Sequence, residues 1–323
     1  MGDNPKEKIM EQIVCNFCGS SSHSLLYSST DRSFHPKEKF NLVSCNRCGL
    51  VFVNPRPQVS EIGSYYPKEY FCCYEEIKKE SAEIQLRKIM VVDKYKNAGR
   101  ILDVGCGRGD FLHQMGIRGW DCWGIEISPD ACLYARDTLG LKQVINQDLL
   151  VSNLPEKSFD VITLWHVLEH VYQPLETLEK IHSLLKDDGV LIINCPNFDG
   201  ALRRIFRENW YQLDIPRHLY QYRRKVLTRM MESKGFRVKK VEYLAFPLHG
   251  LIWFKISLLR AFGAKKPIEN IVDLRHPDNG LHRSLFWRLG RSVFNSFCWV
   301  ISYILGLLHF GDDMCISAEK TKK

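Results

Sequence analysis

The stretch Leu102-Asp103-Val104-Gly105-Cys106-Gly107-Arg108-Gly109-Asp110-Phe111 decides how this 323-residue chain folds. It begins inside the apolar run RILDVG (100–105), which reads as one short buried strand. Glycines at 105, 107 and 109 then mark a turn, and residues 109–118 read as a helix. Strand, glycine turn and helix together open an α/β unit. The turn is not a P-loop, because no Gly-Lys-Ser/Thr follows. Nor is it the dinucleotide G-x-G-x-x-G pattern, since position 110 is Asp. A pyrophosphate at this helix N-terminus is therefore not expected.

The same alternation continues outward. DCWGIEI (121–127) reads as a strand and SPDACLYARDTLG as a helix with Ser128 as N-cap. KQVIN (142–146) and FDVITLW (159–165) read as strands. PLETLEKIHSLLKDDG reads as an amphipathic helix ending on Gly189. VLIINCP (190–196) is a fifth strand, KVLTRMMESKGF a further helix and RVKKVEYLAF (237–246) a further strand. Strands separated by helices of this length predict a parallel sheet covered on both faces.

Two acidic positions refine the chemistry. Asp103 ends the first strand, a poor neighbour for phosphate and a good one for an ammonium group. Glu126 ends the second strand, 21 residues after Gly105, where a carboxylate holds both ribose hydroxyls. The site calls for a nucleoside with a cationic, unphosphorylated tail, a description that S-adenosylmethionine fits. Residues 99–246 resemble a class I S-adenosylmethionine-dependent methyltransferase: LDVGCGRGDF matches its first motif, GIEIS its second and NQDLL its third. FDVITLWHVLEHV matches the element after strand four, and LLKDDGVLIINCPN the fifth strand. The resemblance implies a Rossmann-like, doubly wound sheet of seven strands, the last antiparallel and supplied by residues 313–320. It implies cofactor contacts at Asp103, Gly105, Cys106, Gly107, Gly109, Glu126, Ile127, Asp148, Leu149 and Trp165, with Asp148 facing the adenine amino group.

His166-Val-Leu-Glu169-His170 also matches the inverted zinc-peptidase signature H-x-x-E-H. That reading needs a long helix and a third ligand, whereas Pro174 limits any helix here to about two turns. The resemblance instead puts HVLEH beside the methyl-transfer cleft. Base N-methylation is disfavoured, because Leu164-Trp165-His166-Val167 stands where Asp/Asn-Pro-Pro-Tyr/Phe is usual. The chain as a whole looks similar to a bacterial subgroup carrying an N-terminal C-x-x-C…C-x-x-C module and a W-Y-x-x-D-x-P-R-H-L-Y segment, here Trp210 to Tyr220. This implies methylation of a hydroxyl on a sugar-nucleotide or lipid-linked saccharide; quinone-pathway O-methyltransferases share the EHV element. A sugar hydroxyl benefits from a general base, and histidine is poised for that near neutral pH. His166, His170 and His218 are the candidates, with Asn197, Trp210, Tyr211, Asp214 and Arg217 as substrate contacts. The plainer readings are a structural histidine at each site, core aromatics and an Asp214–Arg217 ion pair. RNA methylation and a cofactor-binding, non-catalytic scaffold stay open as alternatives; no DNA partner is expected.

CNFCGS (15–20) and CNRCGL (45–50) are two C-x-x-C-G knuckles. Each glycine permits a sharp turn that brings backbone N–H groups toward thiolates. Cys15, Cys18, Cys45 and Cys48 form a closed set of four thiolates, suited to a structural Zn²⁺; iron is the alternative metal. The long gap between the knuckles predicts a long hairpin, and NPRPQ (54–58) closes the module. The expected organisation is therefore a zinc-ribbon-like module at 1–58 and a linker with a lead-in helix at 59–98. The methyltransferase domain at 99–246 and an apolar, basic helical insertion at 247–311 follow. The other eight cysteines are scattered and no secretory signal opens the chain, which reads as cytoplasmic usage. The net charge is +8, and residues 251–291 hold eight cations against three anions. Residues 292–311 contain no charged side chain. An anionic membrane surface at 251–311, on the inner membrane face, is one expectation; a soluble cap or dimer contact is the other.

Overall fold

In the computed structural model, residues 8–32, 34, 38–67, 82–243, 247–263, 293, 300, 304–305 and 307–321 are described. The chain divides into two units. One comprises Met1–Lys79, Phe198–Gln221 and Ala245–Asp312, the other Glu80–Asn197, Tyr222–Leu244 and Asp313–Lys323. Residues 198–221, which the sequence reading keeps inside 99–246, thus group with the N-terminal cysteines.

The first unit opens with strand β1 (Met10–Glu11), β2 (His23–Thr30), β3 (Lys39–Cys45), β4 (Val51–Val53) and β5 (Arg56–Pro57), followed by the one-turn helix α1 (Val59–Ile62). β2 and β3 form the long hairpin expected between the knuckles, with His23 opposite Cys45. Helix α2 (Ala82–Asp93) then leads into the second unit.

The second unit contains strand β6 (Arg100–Val104), helix α3 (Asp110–Ile117), β7 (Asp121–Glu126), α4 (Pro129–Asp137), β8 (Val144–Asn146), β9 (Phe159–Trp165), α5 (Pro174–Leu184) and β10 (Leu185–Pro196). β9 is buried along nearly its whole length, as a parallel strand covered on both faces should be. Ser128 caps α4, its hydroxyl accepting the Ala131 N–H with Pro129 at the first helical position. Helix α5 stops at Leu184 and not at Gly189. Leu185 is already extended and pairs with Phe159, and residues 186–189 form an irregularity before pairing resumes at Val190.

Residues 198–221 carry helix α6 (Ala201–Phe206) and strand β11 (Tyr220–Gln221). β11 pairs with β4 and completes a four-stranded sheet ordered β11-β4-β3-β2. Helix α7 (Arg224–Ser233), strand β12 (Phe236–Glu242), helix α8 (Pro247–Ala261) and strand β13 (Asp313–Lys320) end the described chain. β13 lies antiparallel between β10 and β12. The large sheet runs β12-β13-β10-β9-β6-β7-β8. Its seven strands, with the last antiparallel, match the expectation. The chain runs outward from β6 through β7 to β8 and then crosses back to β9 on the other side of β6, so the strand order reverses between β6 and β9. Open α/β sheets bind ligands at the carboxyl ends of strands at such a point. Most of 247–311, including the basic residues from Lys265 to Arg291 and about half of the apolar run 292–311, lies outside the described residues.

Candidate functional site

The glycine loop sits at this switch point. Gly105, Gly107 and Gly109 have φ of 69°, 55° and 82°, a region that side chains with a Cβ rarely occupy. A Cβ on Gly105 would lie 2.5 Å from Val167 Cγ2, just past β9. Gly105→Ala is therefore expected to destabilise the fold by about 1–3 kcal/mol through strained backbone and overlap. A second change, Val167→Ala, should recover part of that loss in thermal melts; no recovery would mean the left-handed backbone alone sets the cost.

Glu126 at the end of β7 is fixed by two backbone donors. The Gly107 N–H reaches Oε2 at 2.8 Å and the Ser128 N–H reaches Oε1 at 2.8 Å. The carboxylate is thus aimed by the loop it serves, with lone pairs left for two hydroxyl donors. Asn146 also donates to the Glu126 carbonyl at 2.9 Å. Asp148 is exposed, and its Oδ1 accepts the Leu150 N–H. Ile127 is exposed beside Glu126, while Leu149 is buried. Asp103 is buried and accepts the Thr163 hydroxyl at 2.6 Å. Cys106 is buried against Gly124, and burial, then Asp103 and Glu126, push its thiol well up. It contributes backbone and volume, not a thiolate. Trp165 packs edge-on against Phe111 in the core, with Lys88 5.3 Å from its ring. The donor set fits a nucleoside: an aimed carboxylate for vicinal hydroxyls, an open apolar side chain, and a backbone cradle too tight for side chains.

HVLEH is not helical. Residues 166–172 form turns, and His170 N donates to Val167 O. The two histidines of a peptidase helix face are therefore absent. His166 has φ of 56°, held by its N–H to Asn194 O at 2.8 Å. Its ring lies between buried acids: Nδ1 is 3.3 Å from Glu169 Oε1, and Nε2 is 3.5 Å from Asp313 Oδ2 and 2.9 Å from the Asn194 amide. Burial works against charge on the ring, but Asp313 and then Glu169 reverse this and push its pKa up to about 10. The two carboxylates favour the protonated form of the ring. A ring held between two buried carboxylates suits a positioning cation as well as the expected base. Because the folded pKa lies above the ordinary histidine value, its stabilisation is complete below about pH 6.5 and is lost as pH rises toward 10. The melting-temperature gap between wild type and His166→Gln should therefore narrow from pH 6.5 to 10; a constant gap would exclude the clamped cation. Asp313, Asn194 and Glu169 escaped sequence reasoning as site residues. Only the β13 register, with Asp313 opposite Pro196, brings Asp313 to this end of the sheet.

Most of the remaining candidates fall in the first unit. Arg217 is 1% exposed and all five of its N–H groups are occupied. Nε and Nη2 meet Asp214, Nη1 and Nη2 meet the two oxygens of Asp31 at 2.8 and 2.9 Å, and Nη1 also reaches the Tyr65 carbonyl. It is a structural residue with no donor for a substrate, and Asp214 is its partner. Trp210 is fully buried in the core with Phe198, again structural. Tyr211 is half-buried, its N–H held by the Ser257 hydroxyl. His218 is buried, with Nδ1 2.8 Å from Gln212 O. A carbonyl only accepts, so Nδ1 carries the proton and Nε2 is the basic nitrogen. Asn197, in the second unit, is fully buried after β10.

The four knuckle cysteines converge as expected. Cys15 and Cys48 sulfurs are 3.4 Å apart, Cys18 and Cys45 sulfurs 3.5 Å, and all four lie within 4.8 Å of one another. A tetrahedral Zn²⁺ with 2.3 Å bonds needs sulfurs about 3.8 Å apart, so the set fits. Gly19 and Gly49 have φ of 71° and 80° and close each knuckle by donating to Cys15 O and Cys45 O. Burial raises the Cys45 thiol, but the N–H groups of Cys48 and Arg47 outweigh this and bring it down to about 7.

Sheet order, glycine cradle and aimed carboxylate together define a class I methyltransferase fold. A family model described as a methyltransferase domain matches residues 74–241, just over half the chain, and the chain belongs to that family. It is similar to the ubiquinone biosynthesis O-methyltransferase of Glaesserella parasuis, 34% identical over 107 residues, which is 30% of this chain and 45% of that protein. The counterpart from Aeromonas salmonicida is 25% identical over 194 residues, covering 56% of this chain and 78% of that one. The chain spans about half the length of most of these curated relatives. Among solved structures, a SAM-dependent methyltransferase from Archaeoglobus fulgidus matches with a TM-score of 0.51 and 24% identity, covering 78% of this chain and 100% of that one. Haemonchus contortus phosphoethanolamine N-methyltransferase 2, in complex with S-adenosyl-L-methionine, matches with a TM-score of 0.55 and 17% identity, covering 84% and 63%. These likenesses show the fold.

Proposed function

We propose that the chain methylates a hydroxyl group of a small-molecule acceptor, with S-adenosylmethionine as donor. The observation that carries this reading is Glu126, aimed by Gly107 and Ser128 at the switch point of the sheet. The cofactor supplies an electrophilic methyl on a sulfonium. Glu126 would accept from the ribose hydroxyls, Asp148 would hold the adenine amino group, and the glycine loop would let the backbone approach closely. Reactants held in line reach high effective concentration without covalent help. His166, as a cation, would fix the turn after β9. His170 on the same turn and His218, through Nε2, are the bases to test by Gln substitution.

Our acceptor reading is a sugar-nucleotide or lipid-linked saccharide hydroxyl, supported by the four-cysteine module joined to the Trp210–Tyr220 segment. A ubiquinone-pathway acceptor is the second reading, favoured by the relatives' names. Labelled-methyl transfer to a panel of both acceptor kinds separates them. The cofactor site is tested first, by calorimetric titration with S-adenosylhomocysteine. Glu126→Ala is expected to weaken binding about 100-fold, since two hydrogen bonds to a charged acceptor are lost at about 1.5 kcal/mol each. Unchanged affinity in the variant would remove Glu126 from the site, and no binding to the folded wild type would end the enzyme reading.

A further inference from the structure

The first unit carries an apolar surface that its own core does not use. Helix α6 turns Leu202 and Phe206 inward, where Phe206 meets Phe254 of α8 with ring centres 5.4 Å apart. Its other side presents Arg204 and Ile205, both exposed, with Arg207 exposed just beyond. Further along, Val300, Ile304 and Leu307 are helical, and Leu308 follows Leu307 directly. By their spacing, positions 300, 304, 307 and 308 would fall on one face of a helix, the pattern that normally buries a stripe in a core. Here all four are exposed, Leu307 and Leu308 at 63% and 56%. Phe262, just past α8, is 83% exposed. Isolated exposed apolar residues are ordinary, but a periodic stripe marks a docking face.

Arg204 borders the end of this stretch. The Ala201 N–H donates to Phe310 O at 2.9 Å, and the Arg204 guanidinium lies 4.7 Å from the Phe310 ring. This ties α6 to the end of the apolar stretch. The sequence of 251–291 adds eight cations against three anions. No helix among the described residues is long and apolar enough to cross a bilayer. An exposed apolar stripe edged with arginine suits a helix lying in the interface of an anionic bilayer. Against a second copy, two-fold apposition would bring the same arginines near themselves, which is unfavourable.

We propose that Val300, Ile304, Leu307 and Leu308, with Arg204 and Arg207, form a docking surface for an anionic phospholipid bilayer. This stands independently of the acceptor reading. The test is co-sedimentation of the full chain with vesicles of phosphatidylcholine alone and with about one third phosphatidylglycerol. Binding should appear with the anionic lipid and fall as salt rises. Leu307→Ser with Leu308→Ser should lower partitioning at least about tenfold, and Arg204→Ser with Arg207→Ser about fivefold per arginine. Both variants should keep wild-type S-adenosylhomocysteine affinity, which separates this test from that of the methyltransferase reading. If the leucine pair disturbs folding, the arginine pair and the wild-type salt series still decide. Equal sedimentation with both vesicle types, or in both variants, overturns the proposal. So does a wild-type dimer that the leucine variant dissociates without any vesicle binding.

Discussion

Arg217→Ala is expected to destabilise the first unit by about 3–5 kcal/mol, the usual cost of removing one member of a buried ion cluster. The loss follows from geometry. Arg217 and Asp31 are 1% and 0% exposed at their side chains, and their guanidinium–carboxylate contacts are bidentate. Without the arginine, two carboxylates stay buried with no cation between them. Asp214 gives the effect a pH signature. Burial raises its pKa, but Arg217's charge and hydrogen bonds outweigh this and hold it well below the usual carboxylate range. Its stabilisation is present above the ordinary aspartate range and is lost as pH falls through its depressed folded value. In Arg217→Ala the largest causes of that depression are gone, so denaturant melts at pH 5 and at about pH 2 should show the wild-type advantage shrinking in acid. The triple change Arg217→Met, Asp31→Asn, Asp214→Asn should regain much of the loss, because no unpaired charge is left. A single variant as stable as wild type would mean the cluster is solvated and residues 210–220 are held by packing alone.

That cluster explains what the sequence could and could not convey. The sheet was legible because its information is local: branched apolar runs, three glycines, Ser128 before Pro129, and an acid at the end of β7. The knuckles were legible because metal ligation imposes spacing. Residues 210–220 misled, because Trp, Tyr, Asp, Arg and His in one segment suit either a polar ligand or a buried ion network. Only Asp31, 186 positions from Arg217, decides between them, and that pairing is not a local property. The surroundings of His166 are hidden from the sequence for the same reason. Its carboxylate neighbour Asp313 is 147 positions away in sequence and arrives through the register of β13. A histidine after strand four suggests a base when read alone; its carboxylate partners add the reading of a clamped cation. The end of α5 was misplaced because Gly189 looks like a helix stop, whereas pairing of Leu185 with Phe159 ends the helix one turn earlier.

The largest effect is expected from the metal. Metal analysis of the purified chain should give about one tightly bound Zn²⁺, and Cys48→Ser or strong chelation should remove it. Zinc contributes about 10–16 kcal/mol of binding free energy in small four-ligand domains, comparable to the whole stability of a typical domain. The Cys15 and Cys48 sulfurs, 3.4 Å apart, join two knuckles 27 or more positions apart in the chain, which the β2–β3 hairpin alone must otherwise hold together. Backbone amides of β2, β3 and β4 should lose hydrogen-exchange protection in Cys48→Ser. Those of β6 and β9 should keep theirs, since Ile101, Leu102, Val161 and Ile162 are fully buried in a sheet without metal ligands among its described residues. S-adenosylhomocysteine binding should persist, because Glu126 and the glycine loop belong to that second sheet. Retained protection in β2–β4 would show that Leu42, Phe52, Phe198 and Trp210 already hold the first unit, and would reduce the metal to an accessory. Loss of protection in both sheets together would show that the two units fold as one cooperative body.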